Sequence, residues 1–191
     1  MNYFKNNNQK GLTLTEVIVA TGIFSVLIVV LTGVFVNSLK SQRKVSGFQD
    51  VQENAQYIIE KISKEARMSK IVEPETNGNF SNYIVFKSRK EDGNVVDVRY
   101  EFDSDSDLVK RKEWDADGGD IDKDDENDVD WQKLNSEKVK IKESNFYVVN
   151  PATPGEAQPR VTIFMILSDL GEETELPIQT TISARTYGPT N

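Results

Sequence analysis

One ionisable residue, Glu16, lies at the start of a long apolar stretch of the sequence. Residues 17–36, VIVATGIFSVLIVVLTGVFV, contain no charged side chain, and Gly11 lies five residues before Glu16. A carboxylate that enters a bilayer costs free energy, and a neighbouring positive charge offsets that cost. On the apolar stretch alone, the favoured interpretation of Glu16 is an interfacial glutamate that marks where the stretch begins, and a function in ion pairing needs a further signal.

A second concentration of carboxylates occupies residues 113–131, EWDADGGDIDKDDENDVDW, which hold ten acids and one lysine. Carboxylates at alternate positions around Gly118 and Gly119 can wrap a hard cation such as calcium. The EF-hand spacing is not met: counted from Asp115, the glycine comes one place early, although Glu126 falls at the twelfth position. A calcium site and a plain solvated loop both remain open. The candidate calcium ligands are Asp115, Asp117, Asp120, Asp122 and Asp124.

The residue types that are missing exclude several kinds of chemistry. The chain has no cysteine and no histidine, which removes disulfides, thiolate sites, Ser-His or Cys-His catalysis and most catalytic zinc sites. Its 31 acidic and 23 basic residues give a net charge of -8, which does not favour contact with nucleic acid. A membrane-anchored hydrolase is disfavoured because histidine and cysteine are absent and no pair of carboxylates stands out. We predict that the chain is not an enzyme.

The apolar stretch must be positioned by a helix, and three kinds of helix compete. As a helix, its 20 residues would rise about 30 Å, the thickness of the hydrocarbon core of a bilayer. A secretory signal has a shorter apolar region and a small-x-small cleavage site, which the following NSLKSQRK does not offer. A core helix is rarely apolar on every face. The stretch therefore predicts a membrane-spanning segment.

The flanking basic residues do not decide how this segment is oriented. Lys5 and Lys10 precede it, and Lys40, Arg43 and Lys44 follow it. Because the cytoplasmic flank normally carries the excess of lysine and arginine, this count does not favour a cytoplasmic N-terminus. Another signal is needed for the orientation.

The stretch KGLTLTE, residues 10–16, resembles the processing site of type IV prepilins and type II secretion pseudopilins. In that family a short, basic, polar leader ends in glycine and is cut on the cytoplasmic side, before the apolar run. The resemblance implies a leader over residues 1–11, cleavage by prepilin peptidase between Gly11 and Leu12, and N-methylation of Leu12. The chain departs from the family pattern at Leu12, where phenylalanine is usual, and at Thr13 and Thr15.

The same resemblance gives Glu16 a function in assembly, since it falls at the fifth residue of the mature chain, where the family carries its glutamate. In the family model, this carboxylate meets the N-terminal ammonium of another subunit, a group that cleavage creates at Leu12. The resemblance also implies an N-terminus in the cytoplasm and a C-terminal domain outside the plasma (inner) membrane. The implied partners are the lipid bilayer, the inner-membrane assembly platform and other pilin or pseudopilin subunits of a cell-surface or periplasmic filament.

Beyond the apolar stretch, hydrophobic residues recur at steps of three and four, which predicts an amphipathic helix. They are Phe48, Val51, Ala55, Ile58, Ile62 and Ala66. We expect one helix from about Leu12 to Ile71 that stops before Pro74. Residues 12–36 would be its transmembrane and assembly half, and residues 37–72 its amphipathic half. The alternative, a coiled-coil seam, needs a longer stripe.

The remaining residues, 73–191, carry mostly strand signals. Residues 95–102, VVDVRYEF, alternate between apolar and charged side chains, and residues 91–94, EDGN, indicate a hairpin turn before them. The sequence predicts an α+β fold in which the second half of the helix packs on one antiparallel sheet. The six candidate strands are YIVFK, VVDVRYEF, DLVKRKEW, KVKIKESNFYVVN, RVTIFMILSD and LPIQTTISARTY.

Two functions of different classes follow from these patterns. The first is a structural subunit, a minor pilin or pseudopilin, since one helix followed by strands resembles J-type minor pseudopilins and related minor pilins. The second is a single-pass surface binding module whose acidic stretch binds calcium. Observation of cleavage after Gly11 would distinguish the first function from the second.

Overall fold

The structure is a computed structural model that describes residues 11–74, 78–116, 131–149, 158–171 and 174–184. The chain divides into two compact units, Met1–Arg43 and Lys44–Asn191. One helix, α1 (Leu14–Met68), contributes residues to both units. The strands all belong to the second unit.

In the second unit, α1 buries the narrow apolar stripe that its sequence predicts. Five stripe residues are 0–1% exposed: Val51, Ala55, Ile58, Ile62 and Ala66. Their spacing of three or four residues places them on one face, where they join the core of the unit. The prediction fails at Phe48, which is 41% exposed.

The end of α1 comes earlier than the sequence pattern indicated. We expected helix to about Ile71, but α1 ends at Met68, and Lys70–Glu73 forms strand β1. Ile71 is 1% exposed and lies opposite Phe86 of a neighbouring strand. Pairing with that strand gives the backbone groups of residues 70–73 hydrogen-bond partners, which a continued helix would otherwise have to supply.

Nine strands occur in the described residues, and every pairing between them is antiparallel. They form two sheets, of order β1-β3-β4-β5-β6 and β2-β7-β8-β9, and not the single sheet that we expected. The six predicted segments all contain strands, and β1, β2 and β6 are short additions of two to four residues. After β1, the bounds are β2 Phe80–Ser81, β3 Tyr83–Arg89, β4 Val95–Asp103, β5 Leu108–Asp115, β6 Gln132–Lys133, β7 Val139–Val149, β8 Arg160–Asp169 and β9 Glu175–Ser183.

The turn between β3 and β4 confirms the predicted hairpin. Gly93 has a φ of 90°, a left-handed conformation that favours glycine. The amide of Lys90 donates to the carbonyl of Asn94 at 2.9 Å, which closes the turn. The apolar face that follows in β4 is buried, as its alternation predicts: Val96, Val98, Tyr100 and Phe102 are 1–3% exposed.

One core serves α1 and both sheets of the second unit. Its buried residues come mainly from the helix stripe, from β3 to β5 and from β7 to β9, and Ile71 of β1, Leu134 and Ala184 complete it. Phe102 of one sheet stacks on Phe146 of the other, with ring centroids 4.5 Å apart. These shared contacts confirm the α+β fold.

Candidate functional site

The start of α1 holds Thr13 and Glu16 in a reciprocal pair of hydrogen bonds. The backbone amide of Thr13 donates to Glu16 Oε2 at 2.9 Å, and the amide of Glu16 donates to Thr13 Oγ1 at 3.3 Å. Thr13 Oγ1–H also donates to Glu16 Oε2 at 2.9 Å. This is a capping box, in which the residue before the helix and the third helical residue satisfy each other's amides.

The capping box explains why a carboxylate belongs at this position. The first amides of a helix have no partner inside the helix, and the helix dipole is positive at this end. Glu16 lies in the first turn of α1, where both effects favour a negative side chain. Its carboxylate is therefore held at the start of the helix and is exposed to other molecules.

Thr13 is the functional residue that the sequence interpretation overlooked, because we regarded it only as a departure from the family pattern. The signal was present: TLTE, residues 13–16, has the spacing of a capping box, with threonine followed by glutamate three residues later.

The predicted cleavage point, between Gly11 and Leu12, lies before the first residue of α1. Leu12 is 80% exposed, and a Cβ added at Gly11 would meet nothing within 4 Å. A peptide bond in this position is accessible to a protease and is not protected by helical hydrogen bonds. The other residues of the predicted leader, 1–10, lie outside the described residues.

The apolar part of α1 presents hydrophobic side chains on all its faces. Its most apolar 18-residue window has a mean hydropathy of 2.7, and none of it is buried within the chain. By length and composition, α1 can cross a membrane, and it is the single helix among the described residues that can.

Three hydroxyls inside this apolar stretch are satisfied by the helix itself. Thr21 donates to the carbonyl of Val17 at 2.9 Å, Ser25 to Thr21 at 2.7 Å, and Thr32 to Ile28 at 2.8 Å. Such bonds let a helix carry hydroxyls in an apolar medium, where an unpaired polar group would be costly. The stretch is therefore compatible with a bilayer despite these residues.

Of the predicted calcium ligands, the structure describes only Asp115. It lies exposed at the end of β5, opposite Val96 of β4. Asp117, Asp120, Asp122 and Asp124 lie outside the described residues. The part of the chain that is described contains no group of three or more His, Cys, Asp or Glu that could hold a metal, and the calcium site stays a prediction.

The comparison with family models bears on the helix start. Residues 6–32 match the model described as the prokaryotic N-terminal methylation motif. The chain carries a prepilin-type methylation motif. Neither the comparison with curated proteins nor the comparison with solved structures found a match.

The methylation motif covers the predicted cleavage point, the capping box and most of the apolar stretch. It is consistent with the type IV prepilin-like family that the sequence resembles. A motif of this kind implies processing by prepilin peptidase and assembly with other pilins. Together with the apolar helix it indicates membrane anchoring.

Proposed function

We propose that the chain is a minor pilin or pseudopilin, a structural subunit of a type IV pilus, a type II secretion pseudopilus or a related filament. Prepilin peptidase removes residues 1–11, and Leu12 becomes the methylated N-terminus. The subunit resides in the plasma membrane before it is assembled. The methylation motif over residues 6–32 carries this proposal, since it coincides with an apolar helix whose side chains the chain itself does not cover.

Cleavage creates a new positive charge four residues before Glu16 in the sequence. A new α-amino group at Leu12 is cationic at neutral pH. The Glu16 carboxylate is exposed at the start of α1, so the ammonium of one subunit can pair with the carboxylate of another. In an apolar medium such a pair offsets the cost of placing either charge there.

The topology that follows is an N-terminus in the cytoplasm and residues 44–191 outside the plasma membrane. Filament assembly then transfers the apolar stretch from lipid to contact with neighbouring subunits. Both surroundings bury apolar side chains, each of which gains roughly 1.5–3 kcal/mol on leaving water. The proposed protein is a structural subunit and not an enzyme.

Co-expression of the full chain with a prepilin peptidase tests the processing step. Intact-mass analysis of the membrane fraction should show the loss of residues 1–11 and the addition of one methyl group. A Gly11→Val variant should remain uncut, whereas the control Gly22→Val, at a glycine inside the helix, should be processed normally. A mature chain that still begins at Met1, or that begins after Val36, would contradict the proposal.

The assembly step needs a variant that separates charge from capping. Glu16→Gln keeps an oxygen that can accept from the Thr13 amide but has no charge, so we expect normal processing and strongly reduced incorporation into filaments. Normal incorporation of the uncharged variant would rule out the ion pair while leaving the processing step intact.

A further inference from the structure

The sheet of order β2-β7-β8-β9 buries one face in the core and leaves the other face accessible. Phe146 of β7 and Ile163 of β8 are 0% exposed, whereas the residues on either side of each are half-buried. Because successive side chains of a strand point to opposite faces, these neighbours lie on the outer face of the sheet. That face contains a groove of about 570 Å³. The groove is lined by Phe80, Asn145, Tyr147, Thr162, Phe164 and Gln179.

The strand pairing arranges the six lining residues in two rows across the sheet. One row consists of Phe80, Tyr147 and Thr162, and the other consists of Asn145, Phe164 and Gln179. Each row crosses three strands, and neighbouring strands are about 4.8 Å apart. A row therefore spans roughly 10 Å, which makes the groove a broad surface and not a pocket for a single small group.

Three aromatic rings give the groove its apolar surface. Phe80 is 71% exposed, although its ring packs on the ring of Tyr147 with centroids 5.1 Å apart and planes tilted by 46°. Phe164 lies on β8, diagonally across from Tyr147. The face of an aromatic ring carries partial negative charge and attracts weakly positive C–H groups. These rings favour a ligand that presents a flat face of C–H groups.

The polar side chains of the groove are amides and hydroxyls, each of which can both donate and accept a hydrogen bond. With the other described residues, the amides of Asn145 and Gln179 and the hydroxyl of Tyr147 form no side-chain hydrogen bond. The hydroxyls of Thr162 and Thr181 bond each other at 2.9 Å, which leaves one hydroxyl hydrogen for another acceptor. The groove thus suits a ligand whose own groups donate and accept.

The charge of the groove excludes several classes of ligand. None of the six lining residues is charged, although charged residues make up 28% of the chain. Nucleic acids and other anions are recognised through lysine and arginine, and the net charge of -8 repels them. An added peptide strand pairs with the edge of a sheet, whereas this groove lies on the face. A neutral sugar fits, because a pyranose ring has a C–H face and a rim of hydroxyls.

We propose that the outer face of this sheet binds a neutral oligosaccharide of equatorially linked pyranose rings. The sugar rings stack on Phe80, Tyr147 and Phe164, and their hydroxyls bond to Asn145 and Gln179. Equatorial linkage keeps such a chain flat and extended, as the two rows of the groove require. This binding site goes beyond the function proposed above and does not depend on cleavage or on filament assembly.

Isothermal titration calorimetry of the full chain with cellohexaose tests the site. The chain is held in lipid nanodiscs, because the headgroup of a maltoside detergent is itself a neutral sugar. We expect saturable heat with cellohexaose and weaker binding of its carboxylated form, in which the primary hydroxyls are oxidised to carboxylates. The absence of heat at millimolar cellohexaose, or equal binding of the carboxylated form, overturns the proposal.

Phe80→Ala and Gln179→Ala test stacking and hydrogen bonding separately. Both side chains are exposed, so we expect unchanged denaturation midpoints. Phe80→Ala should weaken the binding of cellohexaose about tenfold, and Gln179→Ala should weaken it about 2- to 10-fold. The control is Tyr57→Ala, at an aromatic residue of α1 that is 41% exposed and lies outside the groove, and it should bind as the parent chain does.

Unchanged binding in Phe80→Ala, or an equal loss in Tyr57→Ala, contradicts the site. If the parent chain binds no cellohexaose while Phe80→Ala loses incorporation into filaments, the face is a contact for another protein and the proposal is wrong. None of these results bears on cleavage after Gly11, so a failure of the sugar site and a failure of the processing step are distinguishable.

Discussion

Two stretches of α1 carry apolar side chains with opposite surroundings. In residues 17–36 the large hydrophobic residues are exposed, for example Ile23 at 58% and Leu31 at 64%. In residues 51–66 the side chains of the apolar stripe are 0–1% exposed, for example Ile58 and Ile62. One helix therefore contains a part whose apolar surface the chain covers and a part whose apolar surface it leaves uncovered.

The two stretches obtain their stability from different sources. Burying a side chain such as isoleucine gains roughly 1.5–3 kcal/mol, and residues 51–66 obtain that gain within the chain. Residues 17–36 do not obtain it within the described part of the chain and must find it in their surroundings. Their side chains should matter little for the folded unit and much for insertion and assembly.

Replacing one isoleucine in each stretch gives the largest contrast. Ile62→Ala leaves a cavity in the core, and we expect the free energy of unfolding to fall by about 2–5 kcal/mol. Ile23→Ala should change it by less than about 0.5 kcal/mol, since its side chain contacts no core of the chain. Chemical denaturation in detergent can be followed by tryptophan fluorescence, because both tryptophans, Trp114 and Trp131, belong to the folded unit.

Equal destabilisation by Ile62→Ala and Ile23→Ala would contradict this contrast. That result would mean that the apolar stretch packs on the folded unit. A loss of membrane insertion or filament incorporation in Ile23→Ala, with an unchanged free energy of unfolding, would support the contrast.

The second contrast is in the response to alkaline pH. The folded unit contains a buried tyrosine, Tyr100 of β4, which is 1% exposed, whereas residues 17–36 contain no ionisable side chain. Burial raises the pKa of Tyr100 to about 12, against an ordinary value of 10.0. The unfolded chain therefore loses this proton first, and stability falls as pH rises from about 10 to 12. The loss is on the order of 2 kcal/mol.

Tyr100→Phe should remove this part of the alkaline loss, measured by denaturation between pH 9 and 12. Tyr57, which is 41% exposed on α1, is the control position. Equal pH dependence in Tyr100→Phe and the parent chain would contradict the expected effect of burial.

Much of this architecture could be predicted from the sequence, because local patterns determined it. The stripe of α1 and the alternation of β4 come from periods of 3.6 and 2 that are visible in the residues themselves. Two features could not be predicted in this way. The division into two sheets and the formation of strand β1 by Lys70–Glu73 depend on pairing with distant strands. A local period in the sequence does not reveal such pairing. Phe48 was misjudged because a period cannot tell where a helix leaves its core.

The third contrast compares two glycines of α1. A Cβ added at Gly47 would lie 3.1 Å from Asp169 Oδ2, whereas one added at Gly33 would meet nothing within 4 Å. Gly47→Val should crowd this contact and lower the free energy of unfolding by roughly 1–2 kcal/mol. Gly33→Val should leave the unfolding of the folded unit unchanged. Denaturation curves of equal midpoint for both variants would show that Asp169 moves aside at no cost.

The smallest effect is expected at the capping box, where Thr13→Ala removes the side chain that accepts from the Glu16 amide. A lost cap costs about 0.5–2 kcal/mol of helix stability, and we expect the lower end because the first turn of α1 is exposed. The loss should appear as faster hydrogen exchange of the amides of residues 14–17 in micelles, with the folded unit unaffected. Thr15→Ala is the matched control, since its hydroxyl contacts only Thr13 Oγ1 among the bonds described. If Thr13→Ala weakens filament incorporation while Thr15→Ala does not, the cap fixes the Glu16 carboxylate for the ammonium of the next subunit. Equal incorporation of both variants would restrict Thr13 to starting the helix.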